Sequence, residues 1–196
     1  MRTAGNSTRN SIRRSAGDSD RDASSTQEGP VTFKVSSDSF KDGDYLGMDH
    51  ILSETFGFGC AGGNKSPHLK WSGAPEGTKS FAITCYDPDA PTGSGFWHWL
   101  VVNIPANVTE LALDAGSPAA AKLPAGALQT RTDFGAPGYG GPCPPQGDHP
   151  HRYLFTVFAV GAESLPVAAD TSAAVVGFNL HFATLAKASI MGLFKR

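Results

Sequence analysis

The stretch YDPDAPTGSGFWHWLVVNIP, residues 86–105, delivers Asp87 and Asp89 into a turn and then brings His98 back between two tryptophans. A carboxylate beside one imidazole nitrogen fixes the tautomer and favours the protonated ring, which leaves the other nitrogen able to donate to an anion. Asp87 and His98 become neighbours if the strands flanking PDAPTGSG pair. The competing reading makes His98 a core histidine satisfied by a backbone oxygen, with Asp87 and Asp89 capping the turn; Asp89, inside PDAP, has the stronger capping case. Strand alternation sets Trp97 and Trp99 opposite His98, as core or neighbouring-surface residues rather than a stacking platform for the same ligand.

A second stretch, GYGGPCPPQGDHPHRY at residues 138–153, has the composition of a rigid cavity rim. Gly138, Gly140 and Gly141 let backbone N–H groups approach a ligand without side-chain obstruction, while Pro142, Pro144 and Pro145 stiffen the loop. His151 and Tyr153 share a facing direction at the start of an apolar strand, and Arg152 points the other way. The candidate pocket therefore comprises Asp87, His98, His151 and Tyr153, with the backbone of Gly140 and Gly141 at its edge. His149 and Asp89 are looser rim candidates, and Cys143 reads as a rigid-loop residue.

These residues need strands to position them. VTFKV alternates at a strand period, SPHLKWSGAPEG approaches a strand and turns, and KSFAITCYD sets Phe81, Ile83 and Cys85 on one face against Ala82, Thr84 and Tyr86. FWHWLVVNI and HRYLFTVFAV are apolar on both faces, which implies cover from both sides. TSAAVVGFNLHFATLAKASIMGLF reads as one or two helices, with Phe178, Phe182 and Leu185 as the packing stripe. Strands separated by long loops, without repeated amphipathic helices, predict a mainly β protein, an antiparallel sandwich or Greek key.

The chain has 196 residues, enough for one domain with a continuous core. Residues 31–196 carry that domain; residues 1–30, rich in Ser, Arg, Asp, Asn and Gly with Ile12 as the one large apolar side chain after Met1, read as a disordered tail. A formal charge of -2 gives no ground for a nucleic-acid partner. No apolar segment is long enough to span a bilayer, and three cysteines without a CxxC pair predict reduced thiols and a cytoplasmic protein.

The blocks NKSPHLKWSGAPEGTKSFAITCYDPDAP, GFWHWLVVNIP and DFGAPGYGGPCPPQGDHPHRYLFTVFAV resemble the phosphatidylethanolamine-binding protein family, also called the Raf kinase inhibitor protein family, in its bacterial-type branch. The resemblance covers residues 31–196 and implies two antiparallel sheets and a small anion-binding cavity. On it, Asp87, Asp89, His98, Gly141, Pro142, His151 and Tyr153 fall on the family's site positions, with Phe194 standing where tyrosine is common.

The expected function is binding of phosphate, a phosphomonoester or a phosphorylethanolamine-like anion, with a regulatory role. The alternatives are a protein-interaction inhibitor or regulator of a kinase or protease, as the resemblance implies, and a hydrolase, for which no nucleophile elbow or serine triad is visible. No cofactor is expected. The histidines lack HExxH spacing, and a phosphate pocket accounts for their mixture with glycine more economically than a metal.

Overall fold

The computed structural model describes residues 32–196. The tail expected over residues 1–30 lies outside the described residues. Two antiparallel sheets form the body. The smaller has the order β1 (Lys34–Ser36), β2 (Leu69–Ser72), β5 (Glu110–Leu111). The larger runs β6 (Leu128–Gln129), β4 (Phe96–Pro105), β3 (Ser80–Asp87), β7 (His151–Val160), β8 (Thr184–Phe194).

The three long apolar strands hold the centre of the larger sheet because both of their faces are buried. Phe81, Ile83 and Cys85 face the main core with Trp71, Leu69 and Phe155. Ala82 joins a second cluster with Leu100, Val102 and Val160, covered by α1 (Ala173–Ala183). Each fully buried aliphatic side chain contributes about 1.5–3 kcal/mol relative to exposure, so this two-sided burial outweighs the entropy of holding long strands.

One irregularity decides the site. Across β3 and β4, Cys85 pairs with Trp99 and Tyr86 with Trp97, so His98 has no partner position on β3. The extra residue interrupts the alternation. Trp99 and Tyr153 both belong to the main core, and the His98 ring packs edge-on to Tyr153 with centroids 5.1 Å apart. Trp97 instead packs against Tyr86 and the second cluster. The expectation that both tryptophans oppose His98 therefore holds for Trp97 and fails for Trp99, because the bulge turns two successive side chains toward one core.

The C-terminal segment departs from expectation more widely. A helix forms over Ala173–Ala183, but the following segment is a strand, β8, paired with β7 from Phe194 opposite His151 to Thr184 opposite Val160. Ala, Lys and Met all favour a helix, but intrinsic propensity is worth only tenths of a kcal/mol per residue, about 0–0.7, and the ladder offered by β7 overrides it. The helix also buries a different stripe: Ala173, Val176 and Leu180 pack inward, while Phe178, Phe182 and Leu185 are 66%, 73% and 49% exposed. The smaller side chains fit close to the sheet, and the large rings are left outside.

Candidate functional site

At the C-terminal end of β3, Asp87 is almost wholly buried, its side chain 3% exposed. Its Oδ1 accepts from the backbone N–H of Asp89 at 2.8 Å and Ala90 at 3.1 Å, an Asx turn that ends the strand. Its Oδ2 lies 2.8 Å from Nδ1 of His151. The turn cap and the histidine partner are therefore the same carboxylate, and the imidazole it orients is His151, not His98.

His151 opens β7 and is 1% exposed, with Nε2 3.3 Å from Oδ2 of Asp148. Burial alone would push this imidazole toward the neutral form; the hydrogen bonds and charges of Asp87 and Asp148 outweigh it and raise the pKa above the ordinary histidine value. His98 behaves oppositely. Burial dominates and lowers its pKa, although Nδ1–H donates to the Gly140 carbonyl at 2.7 Å. Nδ1 therefore carries the proton of the neutral ring, and Nε2 is an acceptor.

His98, His151, Asp87 and Tyr153 line one cavity of about 190 Å³, whose walls include Leu52, Phe58, Phe96 and Phe134. The Tyr153 hydroxyl is buried and has no hydrogen-bond partner among the described residues. Burial and the nearby Asp87 charge keep it protonated, well above the ordinary tyrosine range. A buried, unpaired hydroxyl costs about 1–3 kcal/mol.

The rim differs from the sequence expectation. Gly140 N–H donates to the His98 carbonyl and Gly141 N–H to Oδ1 of Asn64, so neither is available to a ligand. These glycines serve packing: a Cβ on Gly140 would lie 2.2 Å from the Phe134 ring, and one on Gly141 would lie 2.2 Å from the His50 carbonyl oxygen. Pro142 accepts from Leu52 N–H through its carbonyl and does not line the cavity.

The loop residues that do line the cavity are Cys143, Pro144 and Pro145. Of these only Cys143 has a backbone N–H, and it donates to no atom among the described residues. Sequence reasoning passed over it because the neighbouring glycines looked more open.

Asp89 is not in the cavity. It holds Arg152 by both guanidinium and backbone N–H contacts, at 2.7–2.9 Å, and the side-chain hydrogen bond from Arg152 lowers its pKa to about 2. That clamp fixes the start of β7. His149 stands outside the cavity with its ring centroid 5.3 Å from that of His151.

The cysteines also correct the sequence reading. Cys60 and Cys143 form a disulfide across 83 residues, and Cys85 is the buried free thiol. Spacing could not show this, because the bridge joins two loops that meet only in the fold. It ties the segment bearing Phe58 to the cavity rim. Disulfides persist in oxidising compartments, so the cysteines no longer favour a cytoplasmic location. No helix among the described residues is long and apolar enough to cross a membrane.

Known proteins share this architecture. The family profile described as phosphatidylethanolamine-binding protein matches residues 36–195. The chain is 55% identical over 165 residues to UPF0098 protein YbcL of Escherichia coli, covering 84% of this chain and 88% of that protein. It is 53% identical to UPF0098 protein YbhB of the same organism, covering 83% and 99%. The crystal structure of YbcL, described as a new member of the mammalian PEBP family, superposes with a TM-score of 0.81 over 84% of this chain and 98% of that one. A homologue from Chlamydia trachomatis, CT736, at 26% identity, gives 0.69 over 85% and 99%. With two antiparallel sheets, the DPDAP, WHW and HRY motifs at one cavity and a profile match over nearly the whole domain, this chain belongs to the phosphatidylethanolamine-binding protein family.

Proposed function

We propose that the cavity binds a small anion, phosphate or a phosphomonoester of the phosphorylethanolamine type, in a regulatory rather than catalytic role. The observation that carries this reading is the buried Tyr153 hydroxyl, without a hydrogen-bond partner among the described residues and beside two histidines in one cavity. It donates to an incoming oxygen, as does the Cys143 N–H. The His151 imidazolium balances the Asp87 charge, so the anion does not meet a bare carboxylate.

His98 contributes as an acceptor. Its Nε2 lone pair suits the P–OH of a singly protonated phosphomonoester, whose second pKa is about 6. Both histidines then give the same pH sign: affinity falls as pH rises, through loss of the His151 proton and of the phosphate proton. Titration calorimetry with phosphate and O-phosphorylethanolamine between pH 5.5 and 8.5 should show that fall, and Tyr153→Phe should weaken binding about tenfold, or about 1.4 kcal/mol. Affinity that is flat with pH and unchanged in Tyr153→Phe rejects the reading.

A second reading, an inhibitor or regulator of a kinase or protease, comes from the family and gains support from the apolar surface of α1, where the exposed Phe178 and Phe182 rings contact each other at 5.0 Å. Capture from native extract with wild type and with His98→Ala separates cavity-linked regulation from simple anion binding. A hydrolase has less support: Cys143 is tied in a disulfide, and the Thr92 hydroxyl donates to the Gly95 carbonyl. The disulfide favours an oxidising compartment over the cytoplasm.

A further inference from the structure

Beside the cavity, the short run Asp148, His149, Pro150, His151 carries an arrangement of which anion binding uses His151 alone. One donor atom from each of Asp148, His149 and His151 lies within 4.8 Å of the other two. We propose that these three side chains form a site for a divalent transition-metal ion of the zinc class, at the edge of the anion cavity.

The hydrogen-bond inventory leads there. Asp87 can only accept, so Nδ1 of His151 must carry a proton toward it. In a neutral imidazole Nε2 is then a lone pair, yet it faces another acceptor, Oδ2 of Asp148, at 3.3 Å. Two acceptors face each other with a cation required between them. A proton satisfies the pair at one geometry. A metal ion satisfies it too, and also recruits His149, whose ring is 5.3 Å from that of His151 and otherwise has no assigned role.

The support around His151 has the form that metal-ligating histidines require. Their second ring nitrogen almost always donates to a carboxylate or carbonyl, which fixes the tautomer and raises ligand basicity. Asp87 does this from a buried position, and is itself held by the N–H groups of Asp89 and Ala90. The other two ligands are adjustable. Asp148 is 40% exposed and His149 is exposed, so rotamer changes bring their donors to the spacing of about 3.3 Å that bonds of about 2.0–2.2 Å impose in a tetrahedron. The backbone beneath them is anchored: Gly147 N–H donates to the Arg196 carbonyl, and Asp148 N–H to that of Pro145.

Ligand chemistry selects the metal class. Two imidazoles and one carboxylate suit Zn²⁺ or Co²⁺, whereas Mg²⁺ and Ca²⁺ require oxygen-rich shells. Three protein ligands leave one coordination position for water or an anion. His151 also lines the cavity, so an ion on its Nε2 would stand beside the anion site. The metal site does not depend on the anion reading, since its ligands are judged without phosphate.

The experiment uses the full chain without an affinity tag, stripped with chelator and dialysed into phosphate-free buffer. Zn²⁺ is titrated by calorimetry, and Co²⁺ is followed by its visible ligand-field absorption. One equivalent should bind, with intense Co²⁺ bands of a four-coordinate centre. His149→Ala and Asp148→Asn, at exposed positions that leave the fold intact, should each weaken Zn²⁺ binding at least tenfold. Asp87→Asn, which removes no ligand, should weaken it about 10–100-fold. The exposed helical His181→Ala should leave it unchanged.

Absence of saturable Zn²⁺ binding at micromolar protein, or an affinity indifferent to both His149→Ala and Asp148→Asn, overturns the proposal. Phosphate titration of the metal-free protein tests the anion site separately. Retained phosphate binding with no metal binding removes this inference alone.

Discussion

Replacing Asp87 by asparagine keeps the shape of a side chain that is 3% exposed and retains an oxygen for the N–H groups of Asp89 and Ala90. It changes what His151 meets. The amide nitrogen donates where Oδ2 accepted, so Nδ1 must lose its proton and the ring must carry it on Nε2, toward Asp148. A charge-assisted hydrogen bond contributes about 1.5–3 kcal/mol, and that is the expected loss of stability at acidic pH. The larger cost of about 3–5 kcal/mol for stranding a buried charge is not reached, because the imidazole can deprotonate instead.

The pH dependence follows from the direction of the His151 shift. Its folded pKa is raised, so its contribution is fully present below the unfolded histidine value of about 6.5 and is lost as pH rises through the folded pKa. The gap between wild type and Asp87→Asn is therefore widest near pH 5.5 and narrows by pH 8.5. Urea unfolding followed by tryptophan fluorescence under non-reducing conditions measures both gaps, provided the m-value is unchanged. A gap of equal size at the two pH values, or one that widens at pH 8.5, refutes the assigned pairing.

Three further outcomes follow. In denaturant without reductant, thiol titration should find one free cysteine, Cys85; Cys60→Ser with Cys143→Ser should lower stability by up to about 4.5 kcal/mol, the loop-entropy value for a bridge spanning 83 residues, as read by chemical denaturation. Leu180→Ala should cost about 2–5 kcal/mol, whereas Phe178→Ser should stay within about 0.5 kcal/mol in thermal or urea unfolding, which discriminates the two helix faces. Gly141→Ala should destabilise by about 1–3 kcal/mol in the same assays, because its Cβ would meet the His50 carbonyl oxygen at 2.2 Å and Leu52 N at 2.6 Å.

The strands that carry the site were legible because both faces of β3, β4 and β7 are packed, and a run such as FAITCY shows its alternation regardless of partners. β8 was not legible. Its inward positions include Ala186, Ala188 and Gly192, whose small side chains carry no strand signature, and it is a strand because β7 lies beside it. The helix face was misread for a related reason: Phe178 and Phe182 have the greater hydrophobicity, but Val176 and Leu180 have the right position and size. At the rim, glycine openness could not indicate what fills the space. Gly140 makes room for the Phe134 ring, so Cys143, hidden between prolines, is the loop residue left with an uncommitted N–H at the cavity.

The two histidines show how one residue type acquires opposite roles within one cavity. At His98 the Nδ1 partner is a neutral carbonyl, which cannot offset burial, so the ring stays neutral and presents a lone pair. At His151 the Nδ1 partner is a carboxylate, which does offset burial and favours the protonated ring. Sequence spacing paired Asp87 with His98 because a single turn separates their strands. The β4 bulge instead turns His98 toward Gly140, and the direct pairing of β3 with β7 brings the Asp87 end of one strand to the His151 end of the other. Exchanging the Nδ1 partners would exchange the charges, so the order of strands in the larger sheet sets which imidazole accepts and which one supplies positive charge.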